Sequence, residues 1–354
     1  MLENLLFSEH SSEHSSEDER MPSMVLLQLL FGTWIAQGIY VAASLGIADL
    51  LKDGSKSIDE LAQLTNTHPK NLYRVLRALA SVNIFTEVAP RQFSLTTMAK
   101  YLQSDFSNSL RSLAMMLGDE WHWRCWGDIL NIVQSGQPGL AHLYNVDDTF
   151  KYFEQNPASG KLFNDAMTNF SKNVHTAVID AYDFSHISKI VDVGGGYGTL
   201  ITSILAANSQ TNGILFDLPN VADSAKKLIK QHEVSKRCEV ISGNFFHSVP
   251  SGGDAYILSY IIHDWDDDRC IQILRNIRQS IAADGKLLLV EGVVPDGNKP
   301  HLSKLMDLEM MIFYPSGQER TEDEYSQLYK AAGFRLNRII PTAAPVSIIE
   351  GVCV

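Results

Sequence analysis

Apolar positions along this chain keep two rhythms, and the change from one to the other divides it. Residues 25–51 follow a helical period, with Leu26, Leu29, Leu30, Trp34, Ile39, Tyr40 and Ala43 on repeating faces. A helix this apolar needs a covering surface, within its own domain or on a second subunit. Across 57–100 the character changes. Ser57, Ile58, Asp59 and Glu60 have the form of a capping box, and Thr67, His68 and Pro69 break the pattern. Leu72, Val75, Leu76, Leu79 and Val82 then form the stripe of a second helix, and residues 84–86 and 93–95 read as two short strands about a turn. Helix, turn, helix and hairpin together predict a winged-helix layout. Residues 105–180 return to helical stripes, including Leu162, Phe163, Ala166, Met167 and Phe170.

Beyond Tyr182 the rhythm becomes that of buried strands alternating with helices. Strand candidates fall at 189–193, 213–217, 238–242, 254–259 and 286–291, with two more at 335–341 and 346–352. Helical stretches between the first five imply a parallel sheet covered on both faces. The last two lie too close for a helical crossover, so they predict an antiparallel hairpin at the sheet edge. The fold class expected is therefore α/β: a Rossmann-like, doubly wound, mostly parallel seven-stranded sheet with an antiparallel C-terminal edge hairpin. A mostly helical winged-helix domain precedes it. The boundaries drawn are 1–20 for a disordered acidic lead-in, 21–110 for the winged-helix part, 111–182 for a helical region lining a substrate, and 183–354 for the catalytic domain.

The first strand of the sheet ends in Asp192-Val-Gly194-Gly-Gly196-Tyr-Gly198 and runs on into an apolar helix. Glycines at that junction turn tightly, admit close backbone approach and leave helix N–H groups free for negative oxygens. A dinucleotide fingerprint spaces them G-x-G-x-x-G, whereas here position 199 is Thr. Asp192 would repel a pyrophosphate but suits a ligand carrying positive charge. Asp217 closes the second strand about 20 residues further on, where an acid binds ribose hydroxyls.

Composition narrows the partners. A net charge of −12 disfavours nucleic acid and anionic membrane surfaces. Arg74 and Arg77 sit on the would-be recognition helix, yet 44–100 holds seven Lys/Arg against five Asp/Glu, too even a balance for a DNA-binding regulator. No uninterrupted apolar run reaches the roughly 18 residues a membrane span needs. Cys125, Cys238, Cys270 and Cys353 are scattered without a C-x-x-C pair, as suits free thiols in the cytoplasm.

Polar tips gather at the strand ends: Asp192, Asp217, Asn244, residues 260–263 and Glu291. His263 follows an apolar run and precedes Asp264, Trp265, Asp266, Asp267 and Asp268. A neutral imidazole is the natural general base for an oxygen nucleophile. A metal site made of His263 and these aspartates is disfavoured, since consecutive residues point in different directions. Asp266 instead reads as the cap of the next helix, with Asp267 and Asp268 at its positive end.

Taken in order, residues 192–198, Phe216-Asp-Leu-Pro219, Gly243-Asn-Phe-Phe246, Ile262-His-Asp-Trp265, Leu289-Val-Glu291 and Glu319-Arg-Thr321 resemble the cation-independent small-molecule O-methyltransferases. That family includes plant caffeate and flavonoid enzymes and bacterial natural-product enzymes, and the wording around Trp121 to Trp126 and Met306 to Met310 is nearer the bacterial branch. The resemblance covers about residues 22–354. It implies S-adenosyl-L-methionine as cofactor, S-adenosyl-L-homocysteine as product, no metal, and a homodimer made through the winged-helix part. It implies His263 as catalytic base flanked by Glu291 and Glu319. It also implies Asp192, Gly194, Gly196, Asp217, Leu218, Asn244, Phe245, Ser259 and Ser171 as cofactor contacts. Asp264, Trp126, Met167, Met116, Asp307 and Met311 are the implied substrate contacts, for a phenolic or polyketide-like acceptor. Two positions depart from the pattern: Asn244 replaces a frequent Asp, and Ser259 replaces the Lys frequent in plant enzymes. Nitrogen or carbon methylation remains open on these residues, and a nicotinamide dehydrogenase is a more distant alternative.

Overall fold

The computed structural model describes residues 22–147 and 149–354. The acidic lead-in at 1–20 lies outside the described residues. The chain divides into two compact units: the stretch up to Trp123 with Lys161–Asn169, and Arg124–Gly160 with Phe170–Val354.

In the first unit an uncharged helix, Pro22–Ser44, stops where Gly46 takes a left-handed conformation (φ 65°) and a short helix, Ile47–Leu50, begins. The single helical pattern read over 25–51 is thus two helices. The longer one has 23 residues and meets the length and composition of a membrane span. The expectation from uninterrupted runs passed over it, because Gln28, Gly32, Thr33, Gln37 and Gly38 interrupt the apolar positions without adding charge.

The capping box is present: Ser57 Oγ accepts from the Glu60 N–H at the start of Ile58–Thr65, and Glu60 accepts from the Ser57 N–H. Pro69–Ser81 is the second helix, and it buries Leu72, Leu76 and Leu79. Strands β2 (Phe85–Ala89) and β3 (Gln92–Leu95) form the expected wing. A two-residue strand β1 (Lys56–Ser57), too short to register as a period, adds to β3 and completes a three-stranded sheet. Ile47, Leu51, Ile58, Leu61, Phe85 and Phe93 are almost fully buried in the core between these pieces.

The second unit is built on seven strands: β4 (Lys189–Val193), β5 (Asn212–Asp217), β6 (Cys238–Ser242), β7 (Ala255–Ser259), β8 (Lys286–Glu291), β9 (Phe334–Pro341) and β10 (Ser347–Cys353). Their order is β6-β5-β4-β7-β8-β10-β9. β4 to β8 are parallel, whereas β10 is antiparallel to both β8 and β9. The doubly wound expectation holds, and the late hairpin docks with β10 inside and β9 at the edge. One face buries Ile190, Leu215 and Ile257 against Thr199–Ala207, Pro219–Ile229 and the end of Pro157–Ala181. The opposite face buries Val191, Tyr256 and Leu289 against Asp267–Ser280 and Glu322–Ala331. β4, β5, β7 and β8 are therefore covered on both sides, which is why they read as almost unbroken apolar runs, whereas β6 at the edge is only partly buried.

Candidate active site at the centre of the sheet

The chain steps outward from β4 to β5 and β6, then returns to lay β7 on the other side of β4. Ligands of open α/β sheets bind beyond the strand ends at such a reversal. β4 runs out into Gly194, Gly196 and Gly198, with φ of 73°, 59° and 82°, values that L side chains rarely adopt. The Gly194 N–H donates to the Phe216 carbonyl at 2.8 Å. A side-chain carbon at Gly194 would lie 2.6 Å from Ile261 Cδ1, whereas one at Gly196 meets nothing within 4 Å. The loop is therefore packed on its inner side and open at Gly196. Gly194→Ala is expected to lower the free energy of unfolding by about 1–3 kcal/mol, because it forces a β-carbon into the left-handed region. A urea titration with an unchanged midpoint would refute the strain.

The acids at the strand tips differ in setting. Asp192 is 2% exposed, and its Oδ2 has no hydrogen-bond partner. It lies beneath the loop, where a carbon added at Gly195 would come within 2.5 Å of that oxygen. Burial pushes its carboxyl up to about 7, the charge of Asp217 adds to the rise, and a backbone N–H of Ile201 opposes it. Asp217 spans the mouth of the loop, accepting from the Gly196 N–H at 2.8 Å and the Leu218 N–H at 2.6 Å. Burial raises its carboxyl too.

Asn244 folds its own turn, its Oδ1 accepting from the Phe246 N–H at 2.9 Å. Phe245 packs edge-on to Phe246 and Trp265, and its carbonyl accepts from Asn276 Nδ2 at 2.8 Å. Ser259 ends β7 with a buried hydroxyl that has no partner. Ser171 is half-buried on Pro157–Ala181, and Leu218 is exposed.

His263 sits on a single 3₁₀ turn, Ile262–Asp264, just past β7. It is 6% exposed. Its Nδ1 meets Glu319 Oε1 at 2.9 Å and lies 3.7 Å from Glu291 Oε2, while its Nε2 is 3.5 Å from Asp264 Oδ1. Burial works against a charged ring, but Glu291, Asp264 and Glu319 outweigh it and hold the imidazole up at about 10. The three acids thus favour the charged form of the ring. Glu291 is fully buried at the end of β8, and its Oε1 accepts the N–H groups of Ile261 and Ile262 at 3.0 and 2.8 Å. Burial lifts its carboxyl to about 7, against the pull of the His263 charge.

Of the substrate candidates, Asp264 is in this cluster. Asp307 Oδ1 accepts the Glu319 N–H at 2.9 Å, and the Trp126 indole donates to Glu309 at 2.8 Å. Met311 is half-buried in the second unit, while Met116 and Met167 belong to the first. Two residues of the neighbourhood, one in the strand tip 260–263 and one in the motif 319–321, carried no role of their own in the sequence. Tyr260 takes a left-handed backbone (φ 55°), with its ring 5.4 Å from that of His263 and 6.1 Å from Phe170. Arg320 is fully buried against the His263 turn.

These tips suit a cation and not a diphosphate. Asp192, Asp217, Asp264, Glu291 and Glu319 are carboxylates, no Lys or Arg lies in 192–200, and the partnerless oxygens of Asp192 and Ser259 are buried at the ends of adjacent strands. Among the described residues no group of three or more His, Cys, Asp or Glu is arranged to hold a metal ion.

Comparison with known proteins agrees with this geometry. Residues 126–335 match the profile of an O-methyltransferase domain, and residues 27–105 that of an O-methyltransferase dimerisation domain. The chain is 44% identical to a phenazine O-methyltransferase of Lysobacter antibioticus, over 93% of its own length and 95% of the relative's. It is 31% identical to an 8-amino-8-demethylriboflavin N,N-dimethyltransferase of Streptomyces davaonensis, over 96% and 97% of the two chains. Its fold superposes on CalO1, a methyltransferase of calicheamicin biosynthesis in the S-adenosylhomocysteine-bound form, with a TM-score of 0.82 and 32% identity. That match covers 95% of this chain and 99% of the other.

Proposed function

The chain belongs to the S-adenosylmethionine-dependent O-methyltransferase family, and from that membership we propose that it methylates a phenolic hydroxyl on a small aromatic metabolite, with His263 as the base. The phenazine relative supports a fused or nitrogen-containing ring system as acceptor. The observation that carries the reading is the contact between Glu319 and His263 Nδ1 at 2.9 Å. With Nδ1–H donating to the carboxylate, the lone pair of Nε2 is left to take a proton.

When bound, S-adenosylmethionine supplies an electrophilic methyl group on a positively charged sulfur. Gly194, Gly196, Asp217 and Leu218 would hold it on one side of the crevice, with Asn244, Phe245, Ser259 and Ser171 around it. Asp192, beneath the loop, favours its charge from below. A cation brought to this acidic rim also lowers the proton affinity of His263, and so readies the ring as a base. His263 Nε2 then accepts the hydroxyl proton as the acceptor oxygen takes the methyl group. Glu319 and Glu291 stabilise the imidazolium that results. Trp126, Met311 and Asp307 are the residues of the second unit proposed to contact the acceptor, beside Asp264. Incubating hydroxylated phenazines, naphthols and simple phenols with methyl-labelled cofactor tests this directly: a product heavier by one methyl and resistant as an ether is expected. Labelled product found only with amines would overturn it.

The N,N-dimethyltransferase relative favours a second reading, methyl transfer to nitrogen. A neutral amine needs no base before attack, so that reading predicts a rate independent of His263.

The first unit serves as the dimerisation domain of a homodimer. Leu26, Leu30 and Trp34 are 58%, 58% and 69% exposed on the uncharged helix, and a second copy of the chain would cover them. Trp34→Asp is expected to turn a dimer into a monomer in light scattering. A dimer that persists would place the contact elsewhere.

A further inference from the structure

We propose that Arg320 is a positioning residue for methyl transfer, its guanidinium fastening the turn that aims His263; this rests on the reading of His263 as the base. Arg320 is fully buried, and its donors are shared between backbone carbonyls and one carboxylate. Nη1 donates to the Ile262 carbonyl at 3.0 Å, and Nη2 to the Trp265 carbonyl at 2.8 Å. These carbonyls stand on either side of His263. Nε and Nη2 also reach Asp267 Oδ1 at 3.1 and 2.8 Å, at the start of the helix Asp267–Ser280.

Neighbours of Arg320 grip the same turn. The Gln318 N–H donates to the His263 carbonyl at 2.9 Å, and Glu319 Oε1 meets His263 Nδ1 at the same distance. The segment is in turn tied to the strand exit, where the Val294 N–H donates to the Arg320 carbonyl at 2.9 Å. Three consecutive residues thus fix the carbonyls of Ile262, His263 and Trp265 and one nitrogen of the ring. Only a planar fork can bridge two carbonyls and a carboxylate at once; an ammonium on a flexible stem cannot hold that geometry. Misplacing a reacting group by about 1 Å costs on the order of 100-fold in rate, so a loosened turn should register in turnover before it registers in binding.

The test is Arg320→Lys in the full chain, with Asp267→Asn as the variant that decides should R320K fail to fold. Asp267 is 61% exposed at its side chain, so its replacement loosens the guanidinium without opening the core. R320K is expected to lower kcat by about 10- to 100-fold, to shift the pH midpoint of kcat as the Glu319–His263 contact slackens, and to leave cofactor affinity unchanged. D267N should move kcat and the midpoint the same way by less. Wild-type kcat with an unshifted midpoint in the folded variant overturns the proposal. So does a loss of activity that only tracks the folded fraction. His263→Ala is measured alongside. Full turnover there overturns the base and the positioning role together, whereas an impaired H263A beside an unimpaired R320K overturns the positioning role alone.

Discussion

Replacing His263 with alanine is expected to cut kcat by about 10²–10⁴-fold, the usual worth of a positioned base, while cofactor affinity stays near that of the wild type. The pH response should change with it. The three carboxylates hold the ring up at about 10 in the ligand-free protein, above the ordinary histidine value near 6.5. A base whose folded value is raised stabilises the fold fully below its unfolded value, and that stabilisation is lost as pH rises through the folded one. The melting temperature of the wild type should therefore approach that of H263A between pH 7 and 10. In turnover, rising pH frees the base, so the wild-type rate should climb where the variant's rate stays flat. An H263A enzyme with undiminished kcat would leave nitrogen methylation as the better account.

Glu319→Gln should be nearly as damaging, although it removes only a charge. As a carboxylate, Glu319 can only accept, which forces the ring proton onto Nδ1 and leaves Nε2 basic. An amide offers a donor as well. If the Gln N–H turns to Nδ1, the proton moves to Nε2 and the ring faces the acceptor in the wrong tautomer. In serine-protease triads the corresponding change costs about 10⁴-fold, and a loss on the order of 10²–10⁴-fold is expected here. The backbone at Glu319 is itself held, since the Asp307 carboxylate accepts its main-chain N–H at 2.9 Å. Rapid-quench measurement of a single turnover would read the effect on the chemical step. A burst rate equal to the wild type's would show that Glu319 does not set the tautomer.

The inner parallel strands were legible because burial on both faces leaves short, mostly apolar runs between polar ends. The acids at their tips were legible because nothing in a buried run explains Asp192 or Glu291. What periodicity cannot carry is partnership in three dimensions. Arg320 lies in a polar stretch, 318–324, that reads as a solvated face, and its burial depends on carbonyls more than fifty residues away. Tyr260 has an ordinary side chain in an uncommon backbone conformation. The break at Gly46 was hidden because apolar spacing continues across it. The raised proton affinity of His263 was hidden too, since it needs Glu291 and Glu319 brought to one ring from positions 28 and 56 residues downstream.

The place of β10 has a consequence for how the enzyme is made. Ser347 lies opposite Glu291, and β10 seals the flank of β8 that β9 never touches. A ribosome delivers β4 to β8 well before residues 347–353, so every nascent chain passes through a period with an unpaired inner strand beside the cluster of Glu291 and His263. Such an edge recruits other strands. Slowing translation between codons 291 and 347 should therefore lengthen a vulnerable interval and lower the yield of active enzyme, with the residues of the crevice untouched.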